Sequence, residues 1–231
     1  VKNQKMRRRL IALGAQPSQL VISPSGADEQ RFQGATPALM PPRFLAVGRF
    51  VAKKGPMDTL EAFASLRGLS DHGDACRLVM VGDGPLLPEV RERASQLGLE
   101  QMVQFPGVLA PDAVAREMRR ARVFVQHSRT AEDGDEEGCP VSVMEAQLCG
   151  LPVVATRHGG IPDVVLDQQT GRLVEEGDRM AMAEAMAVLA DRPDLAGAWG
   201  AAGQRRAQAR FTVSHHVEQI ATLIDRLIGS S

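Results

Sequence analysis

Two glutamates, Glu137 and Glu145, separated by seven residues, flank a loop-to-helix boundary in A-E-D-G-D-E-E-G-C-P-V-S-V-M-E-A-Q-L-C-G, Ala131 to Gly150. Pro140 suits the first helical position, because its missing N–H is one the helix has no use for and its φ is already helical. Gly150 is a natural stop. Glu137 then lies in the loop and Glu145 about one and a half turns into the helix. The two cannot share a helical face, yet both can reach a ligand lying across the helix N-terminus. Free N–H groups and the positive end of the macrodipole favour an anion there, phosphate above all. A carboxylate repels phosphate, so the task left to these two is to accept hydrogen bonds from sugar hydroxyls. An anion flanked by hydroxyls is a nucleotide sugar. The rival reading of the same pair is the two carboxylates of a glycoside-hydrolysing site.

Such a loop needs strands on both sides. Arg122 to Gln126 supplies the one before it and Leu151 to Ala155 the one after it. The loop and the helix N-terminus then sit at the carboxyl ends of the strands, where open α/β sheets bind ligands. Further strands are expected at Leu20 to Ser23, Phe44 to Val47, Arg77 to Val81, Val103 to Phe105 and Gly171 to Val174. Helices are expected at Lys2 to Leu13, Pro56 to Leu66, Pro88 to Leu97, Asp112 to Ala121, Arg179 to Ala190 and Asp194 to Ala209. Strands alternating with helices at this spacing imply an α/β fold with a Rossmann-like, doubly wound parallel sheet. After the Ala-rich helices, Val213, Val217, Ile220, Leu223, Ile224 and Leu227 recur at helical spacing as one apolar stripe.

Composition narrows the function classes. The 231 residues are 44% hydrophobic, enough for a real core, and 27 Lys and Arg against 28 Asp and Glu leave a net charge of −1. With one Trp and no Tyr, neither the basic excess nor the stacking aromatics of a nucleic-acid surface is present. Cys76, Cys139 and Cys149 form no C-x-x-C pair, so a reducing cytoplasm is the expected setting. No apolar region follows the first charges, and no run approaches the roughly 18 residues of a membrane span. Arg7, Arg8 and Arg9 leave peripheral contact with an anionic leaflet open, beside the plainer reading of a solvated helix face. No G-x-G-x-x-G follows a strand, which argues against a dinucleotide dehydrogenase.

Glu137, Gly138, Pro140 and Glu145 together resemble the E-G-x-P-x-x-x-x-E motif of retaining family 4 glycosyltransferases of the GT-B fold. V-G-R-F-V-A-K-K-G (Val47 to Gly55), V-G-D-G-P (Val81 to Pro85), V-Q-F-P-G (Val103 to Gly107) and G-G-I-P-D (Gly159 to Asp163) are similar to other blocks of that family, in its order. The wording around T-A-E-D-G-D-E-E-G and A-T-R-H-G-G-I-P is closest to bacterial exopolysaccharide, colanic-acid-type transferases. The resemblance implies the C-terminal, donor-binding half of a GT-B enzyme. Residues 1–210 would form the nucleotide-sugar domain and 211–231 a helix crossing back to an N-terminal acceptor domain that this sequence does not contain. It further implies that Arg49 and Lys54, beside Gly48, hold the diphosphate and neutralise it as the glycosidic bond breaks. Glu137 would contact the donor sugar and Glu145 the ribose. Backbone around Gly138, Cys139, Pro140, Val141 and Ser142 would meet sugar and phosphate, with Gly107 and Val108 at the base.

No cofactor and no essential metal are implied. Glu132, Asp133, Asp135 and Glu136 lack the D-x-D-x-D-G alternation of a calcium loop and are expected mostly to face water, as is Lys53. His127 and His158 read as structural, and Cys139 has no neighbouring His in sequence to activate it. Asp163 stands where the family has Glu, which puts its hydrogen bond in doubt. The expected partners are a nucleotide sugar and, through the missing domain, a glycan or lipid-linked acceptor. A nucleotide-sugar epimerase and a non-catalytic sugar-nucleotide-binding module are the competing functions.

Overall fold

The computed structural model describes residues 1–229. Among them the strands are β1 (Arg43–Val47), β2 (Arg77–Val81), β3 (Val103–Gly107), β4 (Val123–Gln126), β5 (Val153–Thr156) and β6 (Gly171–Val174). The helices are α1 (Gln4–Ala12), α2 (Pro56–Leu66), α3 (Leu87–Gln96), α4 (Pro111–Arg119), α5 (Val141–Cys149), the short α6 (Ile161–Val164), α7 (Arg179–Asp191), α8 (Pro193–Arg210) and α9 (Val213–Gly229). The sheet is parallel throughout, in the order β3-β2-β1-β4-β5-β6. That order is the doubly wound one expected from the sequence.

Alternation along the strands divides the core in two. Phe44, Leu78, Met80, Val123 and Val125 pack on one face with Leu60, Phe63 and Leu66 of α2 and Met182, Met186 and Leu189 of α7. Leu45, Val79, Val81 and Phe124 point the other way, onto Val114 and Met118 of α4 and Val143, Met144 and Leu148 of α5. Side chains at successive strand positions leave opposite faces, so a strand covered by helices on both sides must be apolar at every position. β4 and β5 are buried at all their positions.

Three local expectations change. Leu20 to Ser23 is extended but joins no strand of the sheet: the Ser23 N–H and the Val1 amine bond instead to Val1 O and Val21 O, each at 2.9 Å. β1, the nearest strand in sequence, already has β2 on one edge and β4 on the other. Pro140 is the residue before α5 rather than its first, with ψ at 118°. The four residues of α6 fell inside a block the sequence left without a helix. Gly150 ends α5 at φ 97°, as its type predicts.

Candidate functional site

Because β1 pairs with β4, with Leu45 opposite Phe124, the loops leaving these two strands emerge side by side. The chain turns toward β2 from one and toward β5 from the other, opening the crevice that such a reversal always leaves. The first loop, residues 48–55, and the second, residues 127–140, meet there: the Arg129 N–H donates to Lys53 O at 3.0 Å. A cavity under the first loop, at the ends of β1, β2 and β4, is lined by Val47, Gly48, Arg49, Lys54, Thr59 and Gln126 among others.

Lys54 and Glu137, 83 residues apart, form the centre of the site. Lys54 Nζ donates to Glu137 Oε2 at 2.5 Å, and only 8% of the Glu137 side chain is exposed. Lys53 Nζ lies 2.9 Å from Asp135 and 3.9 Å from Glu137, so Lys53 is an ion-pair partner, not the solvated lysine expected. Arg49 is exposed and pairs with no carboxylate among the described residues. The site therefore holds two lysines already matched to acids and, in Arg49, one cation without an acid partner among the described residues.

The weaker sequence blocks prove to be supports for these loops. A Cβ on Gly82, at φ 134°, would lie 2.0 Å from Gly48 O, so only glycine lets the β2 turn back the β1 loop this closely. The Phe50 N–H donates to Asp83 O at 2.9 Å and the Gly82 N–H to Gly107 O at 2.8 Å. These bonds link the ends of β1, β2 and β3 in turn. Gly159, at φ 54°, packs under the second loop, where its Cβ would stand 1.9 Å from Glu137 O. Gly48 does not offer its N–H to a ligand here, since it donates to Val81 O. Gly107 takes a left-handed φ of 76° at the end of β3, and Val108 beyond it is 76% exposed.

Along the loop into α5 the expected residues part company. Gly138 O accepts from Asn3 Nδ2 at 2.5 Å. The Cys139 thiol lines a second cavity with Pro162, Asp163 and Arg206; burial, then the charges of Asp163 and Glu137, push it up to about 12, which leaves it unreactive. Pro140 precedes the helix and Val141 begins it, and the first N–H groups of α5 have no partner within the helix. Ser142 Oγ donates to Gln126 Oε1 at 3.1 Å, and Gln126 Nε2 to Ser128 Oγ at 2.7 Å. Glu145 is half-buried with no hydrogen-bond partner among the described residues; burial pushes its carboxyl up to about 7, against the pull of Arg31.

The acidic stretch is only partly solvated. Glu132 and Asp133 are exposed, but Glu136 pairs with Lys5 at 3.0 Å and Arg9 at 3.3 Å, both on α1. The hydrogen bond and charge of Lys5 hold the Glu136 carboxyl below its ordinary range. Two charges of the basic N-terminal helix are thus spent on the loop. Asp163 Oδ2 accepts from the Gln4 N–H at 2.7 Å, so the shorter acid does make a bond, at the N-terminus of α1. Among the described residues no cluster of His, Cys, Asp or Glu is placed to hold a metal, and no helix is long and apolar enough to cross a membrane.

Sequence reasoning passed over Asn3, Gln126 and Glu176, and it treated His158 only as structural. His158 is fully buried, and its Nε2 lies 2.9 Å from the Glu137 amide. Its adjacency to Gly159 and Gly160 was the one available signal; Glu176 carried none.

The family described as Glycosyl transferases group 1 matches residues 27–206. A protein of Salmonella typhimurium named as a colanic acid biosynthesis glycosyltransferase, WcaL, is 36% identical over 181 residues, 78% of this chain and 44% of that protein. The amylovoran biosynthesis glycosyltransferase AmsK of Erwinia amylovora is 30% identical over 223 residues, 96% of this chain and 54% of its own length. This chain thus spans about half of these relatives. Among solved structures, the sucrose-phosphate synthase of Thermosynechococcus elongatus superposes with a TM-score of 0.84 at 27% identity, covering 100% of this chain and 58% of that one. With its sheet order, its glycine-backed loops and its glutamate-bearing switch-point crevice, the chain belongs to the glycosyl transferases group 1 family.

Proposed function

We propose that this chain is the donor-binding half of a retaining glycosyltransferase that moves a sugar from a nucleoside diphosphate sugar to a glycan or lipid-linked acceptor in exopolysaccharide synthesis. The observation that carries this reading is the Lys54–Glu137 pair at 2.5 Å, with the exposed Arg49 on the same loop as Lys54. A diphosphate entering between Arg49 and Lys54 takes Lys54 from Glu137. The freed carboxylate then accepts from the hydroxyls of the transferred sugar. As the glycosidic bond breaks, negative charge grows on the departing diphosphate, and the two cations stabilise it where it appears. They supply the charge that a metal ion supplies in other transferases.

In this reading Glu145 accepts from the ribose hydroxyls, the first N–H groups of α5 around Val141 and Ser142 face the phosphates, and Gly107 and Val108 flank the base. Residues 1–210 form the donor domain, while α9 crosses to an acceptor domain. The three unpaired cysteines suit a cytoplasmic enzyme, with the exposed part of α1 free to meet a membrane surface. A thermal-shift panel of UDP-, GDP- and ADP-hexoses on the 231-residue chain tests the donor site. Stabilisation by one nucleotide class is expected, and no shift with any of them, confirmed by calorimetry, would remove it. Transfer of labelled sugar by the full-length protein, with retained anomeric configuration in the product, tests the reaction.

A further inference from the structure

Glu176 follows β6, 39 positions beyond Glu137, yet it closes the loop that carries Glu137. Its Oε2 accepts from the Thr130 N–H at 2.8 Å, and its Oε1 lies 2.5 Å from His158 Nδ1. On the far side of the ring, His158 Nε2 is 2.9 Å from the Glu137 nitrogen. A backbone amide has only a proton to give, so Nε2 accepts and the ring proton sits on Nδ1, where Glu176 receives it. One carboxylate thereby holds the start of segment 130–137 directly and its end through a fully buried imidazole. The next residue is fixed as well, since the Gly177 N–H donates to His127 Nε2 at 2.8 Å. Burial works against charge on Glu176, but its bonds from Thr130 and His158 outweigh burial and keep the carboxyl below its ordinary range.

We propose that Glu176 is a positioning residue for donor binding: through His158 and Thr130 it sets the backbone from which the Glu137 carboxylate reaches Lys54, and so fixes where the transferred sugar lies. The proposal rests on the reading of Glu137 as the sugar contact. Its specific consequence is a split between ligands. Free nucleoside diphosphate, held by Arg49 and Lys54, does not need Glu137 in register, whereas the sugar-bearing donor does.

Calorimetry on the 231-residue chain with UDP-glucose, GDP-mannose, UDP and GDP reads that split. Glu176→Ala should weaken the nucleotide sugar about tenfold, the equivalent of one charged hydrogen bond, and leave the matching free diphosphate within about threefold, less than a neutral hydrogen bond is worth. Glu176→Gln keeps one oxygen and can accept from Thr130 or from His158 but not from both, so it should fall between. Amide exchange at Glu137 should quicken in Glu176→Ala without ligand. In a Glu137→Gln background, Glu176→Ala should cost the nucleotide sugar nothing more. Equal losses for both ligands, an unchanged Glu137 amide or additive losses in the double variant would each overturn the positioning role. Wild type binding neither sugar nor diphosphate would instead sink the donor-site reading, and this proposal with it.

Discussion

The loop at residues 127–140 and the helix α9 invert the usual association of regular structure with order. The loop contains no helix or strand, yet partners from distant parts of the chain hold its backbone: Lys53 O takes the Arg129 N–H, Glu176 takes Thr130, His158 takes Glu137, and Asn3 donates to Gly138 O. α9 is regular over Val213–Gly229, but its apolar stripe is largely wet, with Val217 58% and Leu227 77% exposed. Near its start His216 Nδ1 meets Ser23 Oγ at 2.9 Å and Ser214 bonds to Glu29. Helical hydrogen bonds are local and form wherever the sequence allows; a fixed position comes from buried surface and long-range partners.

The hold on the loop is weakened most by a change at Gly159. Replacing it with Ala puts a methyl group 1.9 Å from Glu137 O on a left-handed backbone, and strain together with overpacking should cost roughly 2–5 kcal/mol. Urea unfolding of Gly159→Ala reads this directly, and a loss under about 1 kcal/mol would show that the loop yields and is not pinned.

Next in size, Lys54→Ala should weaken binding of the nucleotide sugar about 10- to 150-fold, one charge-assisted hydrogen bond. It should also destabilise the free chain, because the buried Glu137 loses its 2.5 Å partner and keeps only Lys53, at 3.9 Å. Arg49→Ala removes a comparable contact from the ligand but none from the apo structure, so its affinity should fall while its unfolding midpoint stays put. Equal midpoints in the two variants would show that the Lys54–Glu137 pair contributes nothing before the donor arrives.

Smaller again is a pH effect at Glu145. Burial raises its folded-state carboxyl from the ordinary glutamate range to about 7, so between the two the folded chain holds a proton the unfolded chain has lost. Stability on this account falls as pH rises from about 4.5 to 7, and Glu145→Gln should flatten that part of the profile. The nucleotide sugar itself does not titrate near neutrality, and it should bind up to about tenfold tighter at pH 8 than at pH 6 as the carboxylate forms. A flat affinity profile in wild type would take Glu145 away from the ribose.

The least effect belongs to α9. Val217→Ser should change the stability of the chain by less than about 0.5 kcal/mol, since the side chain is already exposed. Amide exchange over residues 217–227 should be much faster than in β2. Protection equal to that of Leu78, in a monomer, would place α9 in the domain core and remove the crossover reading.

Local sequence pattern alone settled the alternation of strands and helices, because the short apolar run Leu78 to Val81 suits a strand buried on both faces and the helical spacing of Leu60, Phe63 and Ala64 is imposed by local backbone geometry. Local chemistry likewise marked Gly150 as the end of α5, and the spacing of Glu137 and Glu145 put one in a loop and the other on a helix. What no spacing could carry was pairing across the sheet. Lys54 meets Glu137 because β1 lies against β4, and Glu176 reaches His158 because β6 lies against β5. Glu136, read from its acidic neighbours as solvated, turns to Lys5 and Arg9 only because α1 docks on that loop. The stripe on α9 was legible for the same local reason as α2, but its exposure was not: a helix periodicity states which face is apolar, and only the packed chain states whether anything covers it.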